Sequence, residues 1–388
     1  MGSNAGAERR TLVVPDPSEA CRRLGNACIH VPELVDAFGT FALFIRTPEA
    51  VGSFQLTEAC RRVYEWAENR SHLEIAALFA EAAAIMDPQS PTQAYDAARL
   101  NRQTARFDGA AHWYERALGL AIRTKNRGAV INALLGYGNL MKDLGQFAKA
   151  RTYYERVAQR ALNTGRRRVA AEAHHSLLTL AAETGMFRAA IRHVRKALDY
   201  YPLHHPYIPY LVHDFAFVLV RHRFFALAIG PLLHLLSVIQ RPHEQVLVYG
   251  TIARAAGGLR RRDQYADAAE AILRLVAEHQ QYAASAMNGL AEAAWAFGEW
   301  DQAEVYAAAA LTYAHMWQAG AEQGIAERLL DSLARREQAP TEMDPEDRER
   351  VGFLVQRLLS RLRAWEAPSA TSAHEASHAS VAAGASAA

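Results

Sequence analysis

Apolar side chains recur along most of this chain at intervals of three and four residues, a spacing that lays them on one stripe of an α-helix. One short pattern repeats. An aromatic residue or Leu is followed three positions later by Ala, usually by a large residue four further on, and by a small or apolar one three beyond that. The copies are Phe107-Ala110-Tyr114-Ala117, Phe147-Ala150-Tyr154-Val157, Phe187-Ala190-Val194-Ala197, Phe225-Ala228-Leu232-Leu235, Tyr265-Ala268-Ile272-Leu275 and Trp300-Ala303-Ala307-Ala310, with a weaker one at Leu73-Ala76-Ala80-Ala83. Their starts are separated by 34, 40, 40, 38, 40 and 35 residues. The small Ala lets two helices approach closely, and the aromatic fills the space beside that contact. In four copies a turn residue stands two positions before the aromatic: Gly145, Gly185, Gly298 and Asp263. Gly permits the left-handed conformation that ends a helix. Each unit therefore predicts helix, tight turn, helix.

The stretch Leu134-Leu135-Gly136-Tyr137-Gly138-Asn139-Leu140, with Gly145-Gln146-Phe147 and then Ala150, Tyr154 and Glu155, resembles the tetratricopeptide repeat family. Ala98 and Gly138 occupy the small-residue position of that pattern, Leu178 departs from it, and the closing Pro occurs only in Asp87-Pro88. The common spacing of 40 residues exceeds the ~34 usual in the family and is similar to its extended members. The resemblance implies an all-α fold, a right-handed superhelical solenoid of helix-turn-helix repeats. It also implies that the first helix of each repeat lines a concave groove. Carried onto this chain, the groove residues are Tyr95, Arg99 and Arg102; Asn132, Leu135, Asn139 and Lys142; Glu172, His175 and Thr179; Tyr210, His213 and Phe217; and Arg260, Asn288 and Glu292. Their mixture of basic, amide and aromatic groups suits an extended or helical peptide with some acidic side chains. The carboxylate clamp of chaperone-binding members is not reproduced, because Tyr95, Leu135 and His175 stand where that clamp has Lys.

The organisation expected along the chain is a disordered N-terminus (residues 1–16), an N-terminal helical cap (17–56), seven repeats (57–317), a capping helix (318–338), an amphipathic C-terminal helix (344–366) and a disordered Ala/Ser tail (367–388). Pro17 and Pro32 are placed to begin helices of the cap. A helix-turn-helix DNA reader is the sharper reading of that segment, but Phe38, Phe41, Leu43, Phe44 and Ile45 make it apolar and few basic residues are present to meet phosphate. In the C-terminal helix, Val351, Leu354, Val355, Leu358, Leu359, Leu362 and Trp365 form one stripe. That stripe suits packing on the end of the repeat array, or docking in trans to give a homo-oligomer through residues 344–365.

Composition narrows the function classes. Hydrophobic residues are 51% and charged residues 22%, as in ordinary folded proteins. A formal net charge of +2 offers no global field for nucleic acid or an anionic membrane. Cys21, Cys28 and Cys60 have neither disulfide nor zinc spacing, and the absence of an apolar stretch after the N-terminal charges argues for a cytoplasmic protein. Phe224–Ile239 is the most apolar segment, but it is too short to span a membrane and contains Pro231 and His234.

Candidate chemistry is sparse. His374-Glu375-Ala376-Ser377-His378 matches the zinc-protease letters, but Ala and Ser flank it and no third ligand follows. Adjacent pairs such as His174-His175 and His204-His205 diverge around a helix and make poor joint ligands. Arg166-Arg167-Arg168 and Arg260-Arg261-Arg262 fall near predicted turns. No metal, cofactor or catalytic constellation is expected. The reading is a non-catalytic scaffold or adaptor that binds a protein or peptide. A ligand- or peptide-sensing module of a transcriptional or signalling regulator is the alternative.

Overall fold

A computed structural model describes residues 30–70, 72–280, 282–317, 319–339 and 348–365. Among them are seventeen α-helices and no strand. The expected N-terminal segment 1–16, the helix start at Pro17, the acidic start of the C-terminal helix at 344–347, the His374–His378 letters and the tail lie outside the described residues. So do Cys21 and Cys28. The chain divides into two compact units, Met1–Gly136 and Tyr137–Ala388.

In the first unit, Pro32 opens a short 3-10 turn that leads into α1 (Val35–Arg46). Then come α2 (Ser53–Asn69), α3 (Leu73–Met86), α4 (Pro91–Gln103), α5 (Phe107–Arg123) and the first part of α6 (Arg127–Asp143). From α1 to α5 each helix packs on the next. The start of α4 follows from local chemistry: Ser90 accepts a hydrogen bond from the Gln93 N–H at 3.3 Å, and Pro91 takes the first helical position, where a missing N–H costs nothing. Ala76, Ala80, Ala83 and Ala110 are completely buried, which puts the predicted stripe in the core.

The second unit continues with α7 (Phe147–Asn163), α8 (Arg167–Glu183), α9 (Phe187–Tyr200), α10 (Ile208–Arg221), α11 (Phe225–Leu236), α12 (Pro242–Gly258), α13 (Arg262–Val276), α14 (Ala283–Phe297), α15 (Trp300–Met316), α16 (Gly320–Ala334) and α17 (Arg348–Arg363). Two packing rules organise it. Consecutive helices pair as hairpins, and the first helices α8, α10, α12, α14 and α16 also pack on one another in succession. The approach of α12 to α14 is the tightest. A Cβ on Gly289 would lie 2.2 Å from the carbonyl oxygen of Gly250, and one on Gly257 would lie 2.5 Å from the Ala293 Cα. The small-residue position of the repeat has the same origin: a Cβ on Gly138 would meet the buried Tyr154 ring at 2.5 Å. In the next repeat Val194 stands in the place of Tyr154, and Leu178 joins it in one buried cluster.

The turns hold their shape without always using Gly. Gly145, Gly185 and Gly298 have φ of 70°, 66° and 81°, but Ala105, Lys125, Arg223, Arg260 and Arg336 also sit at φ of 53–63°. In each the next amide reaches back to close the helix end, as Glu299 N–H does to the Ala294 carbonyl and Arg261 N–H to that of Ala256, both at 2.9 Å. One expected turn residue is corrected by this. Asp263 lies inside α13, and Arg260 takes the left-handed position. The helix therefore begins at Arg262, one turn earlier than the Tyr265 anchor suggested. Tyr265 still lies on the buried stripe, because a shift of three residues stays on one helix face. The Arg262 guanidinium, 4.7 Å over the Phe297 ring, occupies the place that an aromatic holds in the other copies.

The C-terminal helix corrects a second expectation. It does not cap the last repeat; α17 packs on α11, α10 and α9. Helix α11 is apolar on nearly every side, and such a helix must be covered all round. Val351, Leu354, Val355, Leu358 and Leu362 supply that cover, each below 5% exposed. Polar contacts lock the register. The Arg361 guanidinium donates to the carbonyls of Leu198 (2.9 Å) and Tyr201 (2.6 Å), which α9 leaves unpaired at its end. Arg357 bonds Asp199 at 2.8 Å, and Trp365 Nε1 donates to the His205 carbonyl at 3.1 Å. The stripe offered above for a homo-oligomer is thus engaged within the chain.

Candidate partner-binding site

In the first unit the residues expected to line a groove are largely internal. Arg99 is buried and forms a two-pronged ion pair with Glu68, also buried, while Tyr64 donates to Asp96 at 3.2 Å. Arg102 is buried as well, Tyr95 lies against Tyr114 with ring centroids 5.9 Å apart, Leu135 is half-buried and Asn132 is exposed. Here the charges tie α4 to α2.

In the second unit the first helices carry a connected polar chain. His175 Nδ1 is 3.3 Å from the Tyr201 hydroxyl, and its Nε2 is 2.9 Å from Asp214 Oδ2. The other carboxylate oxygen, Oδ1, is 3.2 Å from His213 Nδ1, and His213 Nε2 is 3.2 Å from the Thr251 hydroxyl. Burial by itself would raise the Asp214 carboxyl. The hydrogen bonds from His175 and His213 override it and hold the group well below the usual carboxylate range. Further along, Tyr210 donates to Glu244 (2.8 Å), Arg254 Nε lies 2.8 Å from Glu292, and the Asn288 amide donates to Glu322 at 2.7 Å. Burial pushes Glu172 up to about 7, against the opposing charge of Arg168 at 3.5 Å. It also raises Glu183, near Arg221, and Glu322.

Two clefts open beside this chain. One is a narrow slot with a cavity volume of about 30 Å³, lined by Thr179, Glu183, His213, Asp214, Phe217 and Glu322, among others. The second, with a cavity volume of about 300 Å³, is bounded by Phe217, Arg221, Arg223, Arg254, Glu292, Trp295 and Arg328. The structure therefore brings Phe217 and Glu292 to open space, while Thr179 and His213 are buried in the lining, the latter bonded at both ring nitrogens. It places Asn139, under the Tyr154 hydroxyl at 2.7 Å, and the fully buried Asn288 inside the packing. Lys142 is buried with its Nζ 3.8 Å from Asp143. Arg260 is elsewhere: it stands exposed in the turn after α12, and Thr251 and Arg254 hold the face it was expected to hold. Asp214, Thr251, Arg254, Glu322 and Arg328 were not anticipated. A helical phase fixed on the start of α13 at Arg262 would have pointed to Arg254. Among the described residues, no group of three or more His, Cys, Asp or Glu side chains is placed to hold a metal ion. None of their helices is long and apolar enough to cross a membrane.

Residues 129–202 match the tetratricopeptide repeat family model. No curated protein matches the chain. Among solved structures, the APC/C hetero-tetramer Cut9-Hcn1 is similar with a TM-score of 0.52 at 13% identity, over 82% of this chain and 55% of that one. This chain thus spans about half the length of that relative. PilF of Pseudomonas aeruginosa is 18% identical over 57% of this chain and 94% of its own, with a TM-score of 0.39. The C-terminal part of a TPR repeat-containing protein from Cytophaga hutchinsonii is 14% identical over 65% and 94%, with a TM-score of 0.37. The first of these likenesses is one of fold, and residues 129–202 are tetratricopeptide repeats.

Proposed function

We propose that this chain is a non-catalytic scaffold that holds a protein or peptide partner against the first-helix face of its second unit. Tetratricopeptide repeats support an interaction scaffold in general. The observation that favours this particular face is the joining of open clefts to a rigid polar lining. Side chains of α8, α10, α12, α14 and α16 bind one another across helices, so the clefts keep their form before any partner arrives. Phe217 borders both clefts and supplies a flat apolar surface between charged groups. Of the residues put forward from the repeat phase, Phe217 and Glu292 are the ones we assign to contact, and the buried Thr179 and His213 support the lining beneath them. The buried Arg99, Asn139 and Asn288 position helices.

A photo-crosslinking amino acid at position 217, compared with one at Val305, tests this. Val305 is 60% exposed on α15, away from the lined clefts. In native extract, position 217 is expected to give discrete adducts that position 305 does not. Equal or absent adducts from 217 would overturn the assignment.

A further inference from the structure

The larger cleft collects more positive charge than its own walls neutralise. Four arginines line it, Arg221, Arg223, Arg254 and Arg328, against the single carboxylate of Glu292. Arg221 has Glu183 3.9 Å away, at the range limit of an ion pair. Arg254 is 7% exposed, and its Nε faces Glu292 at 2.8 Å without the alignment of a hydrogen bond. Its Nη2 is buried with no hydrogen-bond acceptor among the described residues. A guanidinium carries five N–H donors and loses water from each on burial, so the ill-aligned Glu292 and the nearby charge of Glu322, which accepts no hydrogen bond from Nε or Nη2, leave it under-satisfied. The guanidinium is also held in place: the Arg254 and Arg221 carbons lie 5.6 and 5.9 Å from the Phe217 ring centroid. Cations gathered at a concave wall of low dielectric focus their field into the cleft.

The rest of the lining says what kind of anion fits. Trp295, Ile325 and Leu329 give the cleft apolar wall, so a bare inorganic ion would leave most of it unfilled. Nucleic acid would need a basic stripe along the backbone path, and the chain's net charge is only +2.

We infer that this cleft takes an acidic peptide segment, with a carboxylate side chain among Arg254, Arg223 and Arg328 and a neighbouring apolar side chain on Phe217 and Trp295. The inference rests on the scaffold reading above and specifies the chemistry of its occupant. Arg and carboxylate match in planar geometry, and the aromatic pair supplies contact area at small entropic cost.

The test uses the full chain and a fluorescein-labelled peptide of alternating Glu and Leu, read by anisotropy. Controls are the same peptide with Gln for Glu, a labelled single-stranded oligonucleotide, and competition by inorganic phosphate. The Glu peptide is expected to bind at least about tenfold tighter than the Gln peptide, and Arg328→Glu to weaken it by about tenfold. Arg328 is exposed, so that substitution leaves folding intact; Arg274→Glu on the exposed face of α13 is expected to change nothing. Equal binding of the two peptides, equal effects of the two substitutions, tighter binding of the oligonucleotide, or complete displacement by phosphate at the peptide's own concentration would each overturn the inference. Adducts from position 217 combined with equal peptide binding would overturn the acidic specificity alone and leave the interaction face standing.

Discussion

Asn288 donates from Nδ2 to Oε2 of Glu322 at 2.7 Å, and the same nitrogen reaches the Glu322 backbone carbonyl at 3.0 Å. One amide thus ties α14 to α16 from a completely buried position. Its removal leaves a buried carboxyl with Ser285 as its remaining side-chain donor. Asn288→Ala is expected to cost about 1–3 kcal/mol in urea unfolding, with part of it recovered by Glu322→Gln. An unshifted midpoint would mean that water already serves the carboxyl.

Gly289 faces the Gly250 carbonyl with no room for a methyl group. Gly289→Ala is expected to push α12 and α14 apart and lower stability by about 1–3 kcal/mol. Gly320→Ala, where nothing lies within 4 Å, is the control and is expected to be neutral or slightly stabilising. Thermal melts that treat the two alike would exclude the close crossing.

Acid and base limbs of stability have separate sources. Burial lowers His174, His193 and His205 from 6.5 to about 4. Between those values the unfolded chain binds more protons, so their contribution is complete above pH 6.5 and is lost as pH falls towards 4. Glu172 has the opposite sign. Its carboxyl rises from 4.5 to about 7, so stability is complete below pH 4.5 and is lost as pH rises through 7. His193→Gln is expected to flatten the acid limb and Glu172→Gln the alkaline one. Unfolding midpoints measured from pH 4 to 8 would contradict this if either slope stayed the same.

Leu362 is completely buried where α17 meets the repeats. Leu362→Ala is expected to cost about 2–5 kcal/mol, the range for a well-packed Leu. Arg361→Ala, at a partly exposed contact, should cost less. Because the apolar stripe is engaged within the chain, neither change is expected to dissociate an oligomer. Light scattering that showed a dimer becoming monomeric on Leu362→Ala would place the helix in trans.

Much of the architecture can be read from the residues. The aromatic-to-Ala stripe identifies helix starts at Leu73, Phe107, Phe147, Phe187, Phe225 and Trp300, because a close helix crossing admits only a small side chain. The α13 start escaped it, since Arg262 replaces an aromatic by stacking on one, a role its charge conceals. The left-handed turns at Ala105, Arg223 and Arg260 were equally hidden, because the geometry is imposed by packing on both sides at a cost of roughly 1 kcal/mol each. The polar lining was legible only as a face. Periodicity tells which side of a helix His175 or Arg254 occupies. It does not tell whether a carboxylate on the next helix, such as Asp214 or Glu292, will meet it.

Repeat hairpins contact mainly their neighbours in sequence, so each can settle as it is made. The docking of α17 breaks that rule: Arg361 meets the Leu198 carbonyl across 163 residues. On a ribosome adding roughly 5–20 residues per second, the apolar α11 emerges many seconds before its cover exists. For that interval the face of α11 that α17 covers stays open to solvent.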